Sequence, residues 1–263
     1  MAMASDALLP RVTFYDIRHT LSPETRSWSP FTIRTALALK HRKIPYKRHT
    51  ISFGNVASFL ASKGVPEPAG KSNIKYTLPA ISLQYTDGTE EYLMDSTIIA
   101  RKLEELVPAS PEHPSLFPEG SEHQLDQAEE AIDQAIGHFR GFIIAWTPSI
   151  LDARGQEYFI SSREAMLGAT LESKRAQHPD DELPGTLRTA LKFITKLYQH
   201  ENASAGIFCG GRNEPSYSDI VVVACIEWWR CIRGDEIIDD LLKVVENGVL
   251  LRVMEHYERA LRH

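Results

Sequence analysis

A serine stands directly before a helical apolar pattern, in the sequence Trp28-Ser29-Pro30. Serine followed by proline is typical of a helix start, because the hydroxyl can cap the helix and proline fits its first turn. Free backbone N–H groups and the helix dipole also favour an anion at this place, including an ionised thiol. Ser29 therefore either only caps the helix or also donates a hydrogen bond to a substrate sulfur. Ser27 is the reserve candidate for the second role.

Two other pairs combine a special backbone position with possible ligand groups. Asp95 and Ser96 precede an apolar helical stripe, so either residue can cap that helix, and a helix N-terminus also attracts carboxylates. Pro79, directly after Leu78, begins a strand, where proline is tolerated because it needs no ladder donor. These pairs add a candidate anion site and a candidate turn to the hydroxyl at position 29.

The elements around these residues predict an α/β unit in the first part of the chain. β-branched, aromatic and alternating apolar residues predict strands over 11–17, 44–51, 79–85 and 90–95, the last two joined by a hairpin turn. The stripe that follows Ser29 predicts a helix ending near Lys43, and a second helix begins at Asp95 or Ser96. Residues 63–73 are rich in glycine and proline and predict an irregular surface loop.

The second part of the chain is predicted to be helical. We expect an α/β domain over 1–107, a proline-rich linker over 108–120 and an all-helical domain over 121–263. Apolar stripes predict helices over 121–146, near 187–198 and in the segment that ends near Ala260. Residues 218–229 are almost entirely apolar and predict a central helix, with Ser216 and Asp219 in the spacing of a capping box.

Composition excludes several functional classes. The 263 residues carry a net charge of −6, which argues against nucleic-acid binding, and no stretch has the roughly 18 apolar residues of a membrane helix. The N-terminus lacks a basic region followed by an apolar signal segment, so we expect a soluble, cytoplasmic protein. The spacing of Cys209, Cys225 and Cys231 predicts buried reduced thiols and no metal site.

The architecture and four motifs resemble the glutathione transferases over nearly the whole chain. The motifs are WSPFTIRTALALK, YTLPAI, MDSTIIARKLEE and SYSDIVV, in that order. The resemblance implies an N-terminal thioredoxin-like α/β domain, an all-α C-terminal domain and glutathione as cosubstrate. Thioredoxin-like redox proteins would carry cysteines at the positions of Ser29 and Thr32. Because this chain has no cysteine at either position, it resembles the serine-type transferases.

The resemblance also implies roles for individual residues. Ser29 would stabilise the glutathione thiolate. A cis Leu78–Pro79 bond would expose the backbone of Leu78 to pair with the cysteinyl backbone of glutathione. Ser96 would hold the γ-glutamyl carboxylate, and Asp95 would face the ammonium group.

Two sets of residues keep alternatives open. A cation for the glycine carboxylate could come from Lys63, Lys71 or Lys75, although surface lysines are usually only solvated. Phe139, Phe142 and Trp146 have the spacing of core residues, but in this family the corresponding helix lines the site of the apolar second substrate, so one or two could be partly exposed.

The motifs are most similar to the etherase-like glutathione transferases of wood-decay fungi, with plant tau-class enzymes as the nearest competitor. We favour conjugation of glutathione to hydrophobic electrophiles in detoxification, with peroxidase activity as an addition. Cleavage of lignin-derived β-aryl ethers would use the same Ser29, and a noncatalytic module that binds ligands or partners is the third hypothesis. The family likeness implies a homodimer and hydrophobic small molecules as partners, without metal, nucleic acid or membrane.

Overall fold

The computed structural model describes residues 9–67, 75–200 and 205–262. Its first half is built on a mixed sheet of the strands β1 Arg11–Ile17, β2 Tyr46–Ile51, β3 Ala80–Gln84 and β4 Glu90–Met94. Their order in the sheet is β2-β1-β3-β4. β1 pairs in parallel with β2, and β3 pairs antiparallel with both β1 and β4.

Helices complete this half, and two of them begin where the sequence predicts. They are α1 Pro30–His41, α2 Val56–Ser62 and α3 Ser96–Leu106. The stripe of α1 is buried at Ile33 and Leu37, and α3 buries Ile99 and Leu103, so both helices pack by the predicted faces. Helix α2 was not predicted, because its seven residues are too few to establish a helical period.

In the ranges that the structure covers, the second half is built of helices joined by loops and turns. Its helices are α4 Glu122–Ile144, α5 Ala153–Leu167, α6 Leu171–Ala176, α7 Leu183–Thr195, α8 Tyr217–Arg233, α9 Asp235–Val244 and α10 Val249–Arg262. The predicted fold class, an α/β thioredoxin-like domain followed by an all-α domain, is thereby confirmed. The domain boundaries at 107 and 121 stay a prediction. None of the helices in the described ranges has the length and apolar character needed to cross a membrane.

Helix α8 is the centre of the helical half, as its apolar sequence predicts. It packs against both α1 and α4 and is buried along nearly its whole length. The predicted capping box is present: Ser216 donates from its backbone N–H to Asp219 Oδ2 at 2.9 Å. The fully buried Asp219 also accepts from the backbone N–H of Cys209 at 2.8 Å and from the Tyr198 hydroxyl at 3.2 Å.

The three cysteines are free and buried, as the sequence predicts. Burial raises the pKa of Cys209 to about 12, with the nearby Asp219 charge adding to the rise. Burial likewise raises the pKa of Cys225 and of Cys231. A thiol with a raised pKa is a poor nucleophile at neutral pH, which fits a packing role.

Candidate functional site

The sheet register brings the candidate residues to one edge of the sheet. Ala80 pairs with Tyr15 near the carboxyl end of β1 and with Met94 at the end of β4. The next positions along the same edge are therefore Pro79, directly before β3, and Asp95, directly after β4. Helix α1 begins at this edge after the 18–28 loop that follows β1, so its N-terminus lies on the same side of the sheet as the other two elements.

Ser29 occupies the N-cap position of α1 without capping it. Its backbone is extended, with φ −77° and ψ 137°, and its carbonyl accepts from Ile33 N–H at 2.9 Å. Its side chain is 7% exposed and makes no capping hydrogen bond. The expectation that the hydroxyl caps the helix is therefore wrong. The hydroxyl sits at the positive end of the helix dipole and is not engaged by the first turn.

Ser27, the reserve candidate, is engaged elsewhere. Its hydroxyl donates to Asp16 Oδ2 at 2.5 Å. Asp16 is fully buried on β1, and the same carboxylate oxygen accepts from Arg48 Nη2 at 2.6 Å and from Arg48 Nε at 3.0 Å. A hydroxyl already donating to a carboxylate cannot donate the same proton to a thiolate, so the geometry favours Ser29.

Sequence reasoning missed this buried pair, although a signal was present. Asp16 is the one acid in the strand sequence RVTFYDI, and an ionised carboxylate inside a buried strand requires a charged or hydrogen-bonding partner. The partner, Arg48, is the third residue of β2 and could not be identified from spacing alone.

The other two candidate pairs have distinctive backbone geometry. The Leu78–Pro79 bond is cis, as the resemblance implies. Asp95 has φ 77°, which is uncommon outside glycine, and its Oδ1 accepts from the N–H groups of Thr97 at 2.8 Å and Ile98 at 3.1 Å. Asp95 is exposed and Ser96 is buried at the start of α3. Asp95 is thus the cap of this helix, and its Oδ2 makes neither of these two bonds.

Two of the three lysines considered as partners of the glycine carboxylate lie in the described residues. Lys75 pairs with Glu67 on the surface, with 3.0 Å between Nζ and Oε2, and Lys63 is exposed with its ammonium 5.8 Å from the centre of the Phe59 ring. Lys71 lies outside the described residues.

A separate pocket of about 520 Å³ lies between β2 and α2. None of Ser29, Leu78, Pro79, Asp95 and Ser96 lines it. Burial lowers the pKa of His49 in its wall, and the positive charges of Arg18, Lys47 and Lys63 lower it further. The candidate site is accordingly assigned from the sheet edge and not from this pocket.

The aromatic residues of α4 belong mainly to the core. Phe139 and Phe142 are 0% and 3% exposed. Trp146 is partly exposed, but Arg175 and Arg233 stack over its ring at 4.0 and 4.3 Å from the centroid. Phe31, the second residue of α1, is 49% exposed, and the Arg34 guanidinium lies 5.1 Å from the centre of its ring.

His19 holds the loop that leads to Ser29. Its Nδ1 accepts from Leu21 N–H at 3.1 Å, so its Nε2 carries the proton and donates to the Arg26 carbonyl. Burial lowers the pKa of His19, and the positive charges of Arg48 and Arg26 add to this effect. The hydrogen bond to the Arg26 carbonyl and the charge of Asp16 oppose it. Protonation of Nδ1 would break the bond from Leu21.

We therefore expect acid to destabilise the protein in part through His19. Because the folded-state pKa of His19 is below the unfolded value of about 6.5, the unfolded chain binds the proton more readily, and this contribution is lost as pH falls below that value. The measurement is urea unfolding at pH 7 and pH 5. From pH 7 to pH 5, the free energy of unfolding should fall less for His19→Asn than for the wild type, because Asn keeps an acceptor for the Leu21 N–H. An equal loss in both proteins would remove His19 from this pH dependence.

Comparison with known proteins gives consistent matches over both halves. The family model described as glutathione S-transferase, N-terminal domain, matches residues 28–106, and the corresponding C-terminal domain model matches residues 127–259. The glutathione S-transferase-like protein ustS of Aspergillus flavus is 30% identical over 229 residues, which cover 82% of this chain and 79% of that protein.

Solved structures are similar over the whole length. Glutathione transferase GSTFuA3 from Phanerochaete chrysosporium is 25% identical with a TM-score of 0.80, covering 97% of this chain and 98% of its own. The glutathione S-transferase CsGST63524 of Ceriporiopsis subvermispora, solved in complex with glutathione, is 23% identical with a TM-score of 0.79, covering 95% and 97%. The similarity to the Ceriporiopsis subvermispora structure shows that this chain has the same fold.

Proposed function

The chain belongs to the glutathione S-transferase family, and on that basis we propose that it binds glutathione and transfers its sulfur to hydrophobic electrophiles. The observation that carries the proposal is the Ser29 hydroxyl, placed at the N-terminus of α1 and not used to cap it. The edge that presents Pro79 and Asp95 beside this N-terminus supports the same assignment.

In the proposed reaction, Ser29 donates a hydrogen bond to the thiolate of bound glutathione. The free N–H groups of the first helical turn add to this stabilisation, so the thiol ionises below its usual pKa of about 8.5. The thiolate attacks an electrophilic carbon, a C–S bond forms and the bond to the leaving group breaks. Leu78 would pair with the cysteinyl backbone, Ser96 would bind the γ-glutamyl carboxylate and Asp95 the ammonium group.

The second substrate is proposed to be apolar. Phe31 supports this, because its exposed ring lies two residues from Ser29. Detoxification of electrophiles, with reduction of organic hydroperoxides as an added activity, fits such a site. Cleavage of β-aryl ethers would use the same thiolate: the C–S bond forms, the ether C–O bond breaks and the aryl oxide leaves. This reaction is distinguished by assaying the phenol that is released.

The proposal includes a homodimer in the cytoplasm. Ile98 on α3 is 55% exposed, and a second copy that covers this face of α3 would bury it. Light scattering of the purified protein measures the oligomeric state. A monomer at all concentrations would contradict this part of the proposal.

The first test is an ultraviolet titration of the glutathione complex against pH. A thiolate absorbance that appears well below pH 8.5 supports the transferase, because free glutathione is still largely a thiol there. Binding without a lowered thiol pKa would favour a noncatalytic ligand-binding module. Absence of binding by calorimetry would contradict the proposal.

A paired substitution at Asp95 separates charge from capping. Asp95→Asn keeps an oxygen that can accept from Thr97 and Ile98 but loses the charge proposed to face the ammonium group, so we expect glutathione affinity to fall about tenfold, or about 1.4 kcal/mol, at nearly unchanged stability. Asp95→Ala should lose affinity and, in addition, about 1 kcal/mol of stability through the lost cap. Calorimetry and thermal unfolding measure the two effects. Wild-type affinity in both variants would remove Asp95 from the site.

A further inference from the structure

We propose that Asp16 is a positioning residue for Ser29, which it controls through Ser27 and Arg48. The inference rests on the proposed function of Ser29. It adds a residue of β1, outside the candidate binding site, that decides how the thiol-activating hydroxyl is presented.

The loop over residues 18–28 needs such a support. It joins β1 to α1, and its first residues are held by backbone hydrogen bonds from Arg18 N–H to the Ile51 carbonyl and from Thr20 N–H to the Ile150 carbonyl, both at 2.8 Å. The part next to Ser29 has the turn bond from Arg26 N–H to the Pro23 carbonyl at 3.0 Å, so side chains add to its support. Its last residues, from Arg26 to Trp28, lead directly into Ser29. A displacement of this segment therefore moves the start of α1, and a misplacement of about 1 Å can cost about 100-fold in rate.

Asp16 fixes this segment from the side of the sheet. Its Oδ2 accepts from Ser27 Oγ at 2.5 Å and from Arg48 Nη2 at 2.6 Å. Arg48 Nη2 also donates to the Arg26 carbonyl at 2.9 Å, and Arg48 Nη1 donates to the Glu24 carbonyl. One buried carboxylate thus holds a side chain of the loop directly and two of its carbonyls through a guanidinium.

The helical half holds the same segment from the opposite side. Arg26 Nε donates to Glu227 Oε1 of α8 at 2.6 Å, and Arg26 Nη2 donates to Asp235 Oδ1 of α9 at 2.9 Å. Glu227 is 1% exposed and Arg26 is 6% exposed, so solvent screens this pair little. The segment before Ser29 is therefore clamped between two buried carboxylates, Asp16 and Glu227.

Asp16 could act on the thiolate directly through its charge or indirectly by positioning Ser29. The two roles predict changes of opposite sign in the thiol pKa of bound glutathione when Asp16 is replaced. A negative charge near a thiolate raises the thiol pKa, so removing it by Asp16→Asn would lower that pKa. If Asp16 acts by positioning Ser29, Asp16→Asn misplaces the hydroxyl and raises the pKa of bound glutathione. The sign of the change therefore separates the two roles.

The experiment compares Asp16→Asn, Ser29→Ala and the double variant with the wild type, using the titration of bound glutathione and the kcat/KM for an electrophile. We expect Asp16→Asn to raise the thiol pKa and to lower kcat/KM about 10- to 100-fold. In the Ser29→Ala background, Asp16→Asn should change neither the thiol pKa nor kcat/KM any further.

Glu104→Gln is the matched control. It removes a carboxylate that accepts from Ser115 Oγ at 2.5 Å and from Leu116 N–H at 2.9 Å, near the far end of α3.

Each outcome decides one question. If Asp16→Asn loses stability as Glu104→Gln does but keeps the wild-type thiol pKa, Asp16 only supports the fold and the inference is overturned. A lowered pKa, or an equal effect in the Ser29→Ala background, also overturns it. If Ser29→Ala itself leaves the thiol pKa unchanged, the proposed function fails first. Should Asp16→Asn not fold, Ser27→Ala removes a single hydrogen bond to Asp16 and is put through the same comparison, again with and without Ser29→Ala.

Discussion

The Ser29→Ala variant is expected to keep its stability and to lose most of its transferase activity. The hydroxyl makes no capping hydrogen bond, so its removal leaves no backbone donor of α1 newly unpaired. The lost group would be the side-chain donor to the thiolate, and removal of one preorganised donor to a catalytic anion costs about 100- to 1000-fold in kcat. We expect the pKa of bound glutathione to rise toward its value of about 8.5 in water.

The measurement is the ultraviolet titration of bound glutathione, wild type beside Ser29→Ala, together with steady-state kinetics and thermal unfolding. Ser27→Ala distinguishes the two serines. It should lower the rate less than Ser29→Ala does, because its hydroxyl is already donating to Asp16. Wild-type turnover in Ser29→Ala, combined with loss of turnover in Ser27→Ala, would show that the activating serine has been misassigned.

The Asp219→Ala variant is expected to lose stability, by about 1–3 kcal/mol for each buried donor that is left unpaired. Asp219 is fully buried, and its two oxygens accept from Ser216, Cys209 and Tyr198. Alanine would leave these donors without their acceptor in the interior, where an unsatisfied group cannot recover a bond from water. The loss affects the start of α8, on which both halves of the fold pack.

Urea unfolding measures this effect, and Thr170→Ala supplies the control. Thr170 caps the exposed start of α6 by accepting from Ser173 N–H at 3.1 Å, so its loss should cost only about 1 kcal/mol. If the two variants lose nearly equal free energies of unfolding, the buried hydrogen bonds of Asp219 contribute little to stability. Any Asp219→Ala protein that remains folded should bind glutathione as the wild type does, because the residue is placed in the fold and not in the site.

The sequence by itself determined the elements whose signals are local. A Ser-Pro pair with a helical stripe located α1, and the capping spacing of Ser216 and Asp219 located α8. Alternation located β3, and the turn after it located β4 as the second strand of a hairpin. Each signal depends on residues within one turn or one hairpin, where side-chain spacing and backbone preference act together. The resemblance carried by the same segments anticipated the fold class and the family.

Tertiary structure alone decided how the hydroxyls near α1 are used. Ser27 and Ser29 are two residues apart, and the sequence offers both as donors. Asp16 on β1 accepts from Ser27, so the choice depends on a residue that reaches the loop only when the sheet has formed. Arg48 of β2 completes that arrangement, because a carboxylate buried in β1 must find its charge partner across the sheet. Such pairings arise between elements distant in sequence, and no local pattern specifies them.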